Sequence, residues 1–154
     1  MSNVRHTLRS PRWTVVMLLM VLAALTLASV RASVSEASGC TNASIAGAYG
    51  LTATGTLFGP NGTRSGIALL GRSVYDGHGR LTGTQTDSID GTIEQFTLAG
   101  TYAVQPDCTG SETFTFTPSG EVVHADFVVV AQSHAIAFID TDAGTMLTVT
   151  ATRQ

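Results

Sequence analysis

Few side chains in this sequence are placed to do chemistry. His124 and Asp126 stand two apart, so on a strand they share a face. A carboxylate beside an imidazole can orient it as a base or as a metal ligand. The other face of that stretch (Val123, Ala125, Phe127 and Val129) is the better core face, however, which turns the pair towards water. Asp140-Thr141-Asp142-Ala143-Gly144 opens like a calcium loop. Gly144 then falls at the next ligand position, and Ala151 stands where a bidentate glutamate is needed. The segment reads as an acidic hairpin turn, and no metal ligand is assigned. His78 and His134 fall at expected turns, where a solvated histidine is ordinary.

The standard catalytic constellations fail. Gly71-Arg72-Ser73-Val74-Tyr75 lacks the closing glycine of a nucleophile elbow. Gly77-His78-Gly79-Arg80-Leu81-Thr82-Gly83 is one residue too long for a dinucleotide fingerprint and opens no helix. There is no phosphate-binding Gly-rich loop and no His-Glu-x-x-His. No catalytic residue and no cofactor is assigned.

Cys40 and Cys108 are the two cysteines. Neither has a basic neighbour in sequence to activate a thiol, and an even count favours a bridge where the compartment is oxidising. A disulfide here would tie the start of the domain to its midpoint.

The compartment is read from the first third of the chain. Residues 1–12 carry three arginines and no acid, and residues 13–30 are eighteen uncharged, mostly apolar positions. A basic stretch followed by an apolar run is the pattern of an export signal, with the arginines retained inside. Residues 1–32 are expected to be a signal peptide, with Val30-Arg31-Ala32 at the cleavage site and Ser35-Glu36-Ala37 as a second choice. An uncleaved anchor is the alternative. Eighteen residues reach roughly 27 Å, just short of a hydrocarbon core, and this run would be the chain's only membrane contact. A third reading takes Ala37-Ser38-Gly39-Cys40 as a lipoprotein box. It lacks the usual leucine, and Arg31 and Glu36 separate it from the apolar run.

The eight basic residues are all arginine, and Arg5, Arg9, Arg12 and Arg31 precede Ala32; without those four the formal charge moves from −3 to −7. Such a domain is a poor partner for nucleic acid.

Past a short linker, 33–44, the periodicity of residues 45–154 is two. Thr113-Phe114-Thr115-Phe116-Thr117 alternates cleanly, and Ile136 and Phe138 share a face. Threonine, abundant throughout, packs well on a pleated surface. Asp76-Gly77-His78-Gly79, Asp90-Gly91, Pro118-Ser119-Gly120 and Asp142-Ala143-Gly144 punctuate the runs with turn chemistry. Strands are expected at 47–57, 66–75, 80–88, 92–104, 111–117, 121–130, 135–141 and 145–152. All the connections are short enough for antiparallel neighbours. The fold class is therefore all-β, an eight-stranded antiparallel up-and-down barrel, with a two-sheet sandwich as the alternative. A membrane barrel is disfavoured: the expected exported part has no tryptophan for an aromatic girdle and no lipid-facing apolar band.

In a barrel the positions of interest lie at the interior and the mouth. Asp140 continues the inward face of Ile136 and Phe138. Residues 84–88, including Asp87, are polar on both faces and line a wet cavity or occupy a poorly covered edge. Gly47-Ala48-Tyr49-Gly50-Leu51 and Gly100-Thr101-Tyr102-Ala103-Val104 echo each other. Their tyrosines suit a small-molecule pocket wall, or else plug the barrel. The candidate ligand-binding residues are thus Tyr49, Tyr102, Asp87 and Asp140.

The segment Gly-Ala-Tyr-Gly-Leu (47–51), the turn Tyr-Asp-Gly-His-Gly-Arg-Leu-Thr-Gly (75–83) and Gly-Thr-Tyr-Ala-Val with Asp-Cys-Thr-Gly (100–110) resemble a group of small exported bacterial proteins. These are taken to be β-barrels of the calycin or allene-oxide-cyclase type. The shared motifs are turn and bend residues, so the resemblance implies a fold. It carries over none of the cyclase's catalytic residues.

Three functions remain open. One is a module holding a small apolar or amphipathic ligand, another a filled barrel with a structural or surface role. The third is a cyclase- or isomerase-like enzyme. An open apolar pocket with one or two polar groups favours the first, a packed interior the second, and a buried carboxylate at the pocket base the third.

Overall fold

The computed structural model describes residues 39–154. The expected signal peptide, its cleavage sites and the apolar run lie outside the described residues. Eight strands follow one another: β1 Gly47–Phe58, β2 Arg64–Tyr75, β3 Arg80–Ile89, β4 Thr92–Val104, β5 Thr109–Thr117, β6 Val122–Val130, β7 Ala135–Asp140 and β8 Thr145–Arg153. Each pairs antiparallel with the next. The ladder between β1 and β8, from Tyr49↔Arg153 to Leu57↔Thr145, closes the sheet into a barrel and rules out the sandwich.

Local chemistry sets the turns. At the β3–β4 hairpin Asp90 and Gly91 both take positive φ (48° and 87°), as a tight hairpin of the primed type requires. Asp90 Oδ1 accepts the Gly66 N–H at 2.8 Å, locking the turn to β2. In β4, a Cβ at Gly100 would collide with the Thr113 carbonyl oxygen and the Phe114 backbone of β5, so only glycine permits the ladder to pass.

Alternation sends one face of every strand inward. Phe116, Phe127, Phe138, Leu81 and Leu98 are buried, while Thr115 and Thr117 are exposed. Burying side chains of this size contributes about 1.5–3 kcal/mol each, and this apolar lining holds the cylinder together.

The two ends differ. At one end the chain enters through a 3-10 turn, Asn42–Ile45, whose Ile45 is fully buried, so the described part of the expected linker packs onto the barrel. Cys40 and Cys108 are bridged at this end, their Cα atoms 4.9 Å apart and 68 residues apart in sequence. Closing a loop of that length is worth about 4 kcal/mol in the chain-entropy account. The bridge is consistent with an oxidising compartment. At the other end short hairpins leave a mouth.

Candidate ligand cavity

The closed end is built from all three tyrosines of the chain. Tyr75 sits between Tyr49 and Tyr102, with ring centroids 5.6 and 5.0 Å away and both pairs edge to face. The two-strand echo in the sequence thus marks two equivalent settings on either side of Tyr75. Tyr49 Oη donates to the Ser133 carbonyl at 3.0 Å and accepts from Arg153 Nη2 at 2.9 Å. Arg153 also lies over the Tyr49 ring and donates to the carbonyls of Ala46, Ser133 and Ser44. Tyr102 Oη donates to the Asn42 carbonyl and accepts the Gly77 N–H. Both hydroxyls are spent on the plug, and neither ring lines the cavity above it.

That cavity, of about 130 Å³, fills the barrel between the tyrosine plug and the open mouth. Its walls are mostly apolar, with Leu81, Leu98, Phe96, Phe114 and Phe116 prominent, and Asp87 and Asp140 both line it. Strand β3, polar on both faces, therefore lines a cavity: Gln85 and Asp87 point inward from it.

Three further inward carboxylates, Glu94, Glu112 and Glu121, escaped the sequence reading. Their signal was parity: Glu112 shares its face with Phe114 and Phe116, Glu94 with Phe96 and Leu98, and Glu121 with Val123 and Ala125.

Glu112 is the deepest of them. It is 7% exposed and accepts the Tyr75 hydroxyl proton at 2.9 Å, which joins the cavity floor to the plug. Burial pushes its carboxyl up from 4.5 to about 7, opposed only by the Tyr75 hydrogen bond. The same burial and the facing carboxylate push the Tyr75 hydroxyl far above its ordinary range.

Nearer the mouth, burial raises Asp87, with Gln85 pulling it back and Glu94 and Glu121 adding to the rise. Asp140 is raised by burial too, countered first by its hydrogen bond from the Asp142 N–H.

The His124–Asp126 pair does not form. His124 is exposed, and its Nδ1 meets Asp142 Oδ1 at 2.9 Å while Asp142 Oδ2 accepts the His124 N–H. The pair fastens the β7–β8 turn to β6. His78 and His134 are exposed at turns. Among the described residues, no three His, Cys, Asp or Glu side chains converge on a point that would suit a metal ion.

Compared with protein families, curated proteins and solved structures, the chain matches none. The functional reading therefore rests on this cavity.

Proposed function

We propose that the protein is an exported barrel that binds a small molecule with an apolar body in its interior. The cavity of about 130 Å³ carries the reading, since a packed interior would have favoured a purely structural role. Engineered apolar cavities of ~150 Å³ take up benzene, which sets the scale at one ring or a short chain. The basic and apolar leader sequence and the Cys40–Cys108 bridge support export.

Native mass spectrometry of the oxidised protein purified from its own host tests the proposal. A bound small molecule, released on denaturation, is the expected result. No adduct, together with no thermal shift across a panel of lipids and metabolites, would contradict it.

One observation favours a second reading, an isomerase- or cyclase-like enzyme. Glu112 lies at the cavity floor with a carboxyl poised near neutrality, where a group can both take and return a proton. In that case Glu112→Gln abolishes turnover of the recovered ligand while leaving its retention intact.

A further inference from the structure

The charge of the cavity narrows what it can hold. Asp87, Glu94, Glu112, Glu121 and Asp140 all line it, and among the described residues no arginine or histidine does.

Asp87 decides the matter. It is 5% exposed, and its Oδ1 has no hydrogen-bond partner. A buried polar oxygen left in that state costs about 1–3 kcal/mol, and more when charged. Glu94 stands directly across the β3–β4 ladder, adding like-charge repulsion. Gln85 offsets part of the cost to the carboxylate, but Oδ1 itself stays unpaired. Glu112, by contrast, already receives the Tyr75 hydroxyl. Asp87 is thus a carboxylate on the cavity wall whose hydrogen-bonding capacity the fold does not use up.

A metal ion needs several donors around one point, and the acids do not gather in that way. An organic ammonium needs only one good acceptor and tolerates apolar walls. The walls suit it: Phe116 lies 4.8 Å from Phe96 and 5.2 Å from Phe114, ring centroid to centroid. Such ring faces attract both another ring and a cation.

We propose that the cavity binds an organic ammonium ion. The Asp87 carboxylate accepts its N–H, and an apolar body about the size of one aromatic ring lies against Phe96, Phe114 and Phe116. The inference rests on the small-molecule reading above and adds the charge of the ligand.

Titration of the full-length, oxidised protein with toluene, 2-phenylethanol, 2-phenylethylamine and 3-phenylpropanoate tests it, followed by NMR shifts of the cavity side chains. The amine is expected to bind at least ten-fold more tightly than the alcohol, and the carboxylate not at all. Asp87→Asn should erase the preference while sparing the alcohol. Should that variant fail to fold, the exposed pair Glu94→Gln/Glu121→Gln supplies the check, with the amine weakened several-fold and the alcohol unchanged. Equal binding of amine and alcohol, or a preference untouched by these variants, would overturn the ammonium assignment while leaving the small-molecule reading standing. If toluene, alcohol and amine all fail to bind, both fall.

Discussion

Asp87 and Glu94 are direct cross-strand neighbours of β3 and β4, and both side chains line the barrel interior. Two like charges in that relation oppose pairing of the very strands that carry them. A sequence selected for stability alone would place apolar residues there, as most interior positions of this barrel do.

The first prediction follows from that pair. Asp87→Asn, which removes a poorly solvated charge and keeps the shape, should stabilise the protein by about 1 kcal/mol near neutral pH. That corresponds to a rise in melting temperature of roughly 4–8 °C for a domain of this size. Thermal melts of the two proteins side by side give the answer, and a lower melting temperature for the variant would contradict the account.

The second concerns pH. Glu112 titrates near 4.5 when unperturbed and at about 7 in the fold, so between those values the native state holds the extra proton. Stability is therefore greatest below the lower value and declines as pH rises through the higher one, by a few kcal/mol at most. Asp76, Asp107 and Asp142 act in the opposite sense. Hydrogen bonds hold their carboxyls below the usual range, so the stability they add is present above that range and is lost as acid protonates them. Urea midpoints should thus peak at mildly acidic pH and fall towards pH ~8, and Glu112→Gln should flatten the fall. A midpoint that climbs from mildly acidic to alkaline pH would refute the assignment.

Reduction supplies the third. Cys40→Ala should cost roughly 3–4 kcal/mol and lower the melting temperature by about 10 °C or more, with the strand content unchanged in circular dichroism. Unaltered melting would show that the bridge adds nothing.

The plug gives the fourth. Tyr49→Phe and Tyr102→Phe each remove a hydroxyl that serves the closed end, and each should cost about 1 kcal/mol without altering uptake of a cavity ligand. Arg153→Met should cost more, about 2–3 kcal/mol, because it strips four hydrogen bonds and the contact over the Tyr49 ring. A tyrosine variant that keeps its stability but loses ligand would return the rings to the binding site.

Strand alternation and turn chemistry make the eight antiparallel strands legible in the sequence. Asp90-Gly91 and Asp142-Ala143-Gly144 turn the chain where their residue types demand, and β4 runs over the very residues that the sequence reading assigned to it. Closure was not legible, because a barrel and a sandwich share the same local pattern; only the β1–β8 ladder separates them. Asp87 and Asp140 could be read as inward-facing from parity and strand position. Glu112 could have been read in the same way, but an acid ahead of Thr113-Phe114-Thr115-Phe116 looks like a strand end until β6 and Tyr75 enclose it. His124 finds Asp142 instead of Asp126 because hairpin geometry brings β7's turn alongside, a tertiary relation that spacing along one strand does not contain.

Intermolecular NMR contacts from toluene in the oxidised, full-length protein would test most directly whether the interior takes a guest. Cross-peaks to Leu81, Leu98 and Phe114, lost in the presence of a tighter-binding guest, are the predicted result. Contacts confined to exposed apolar side chains such as Leu70, Ile93 and Met146, or none, would contradict it.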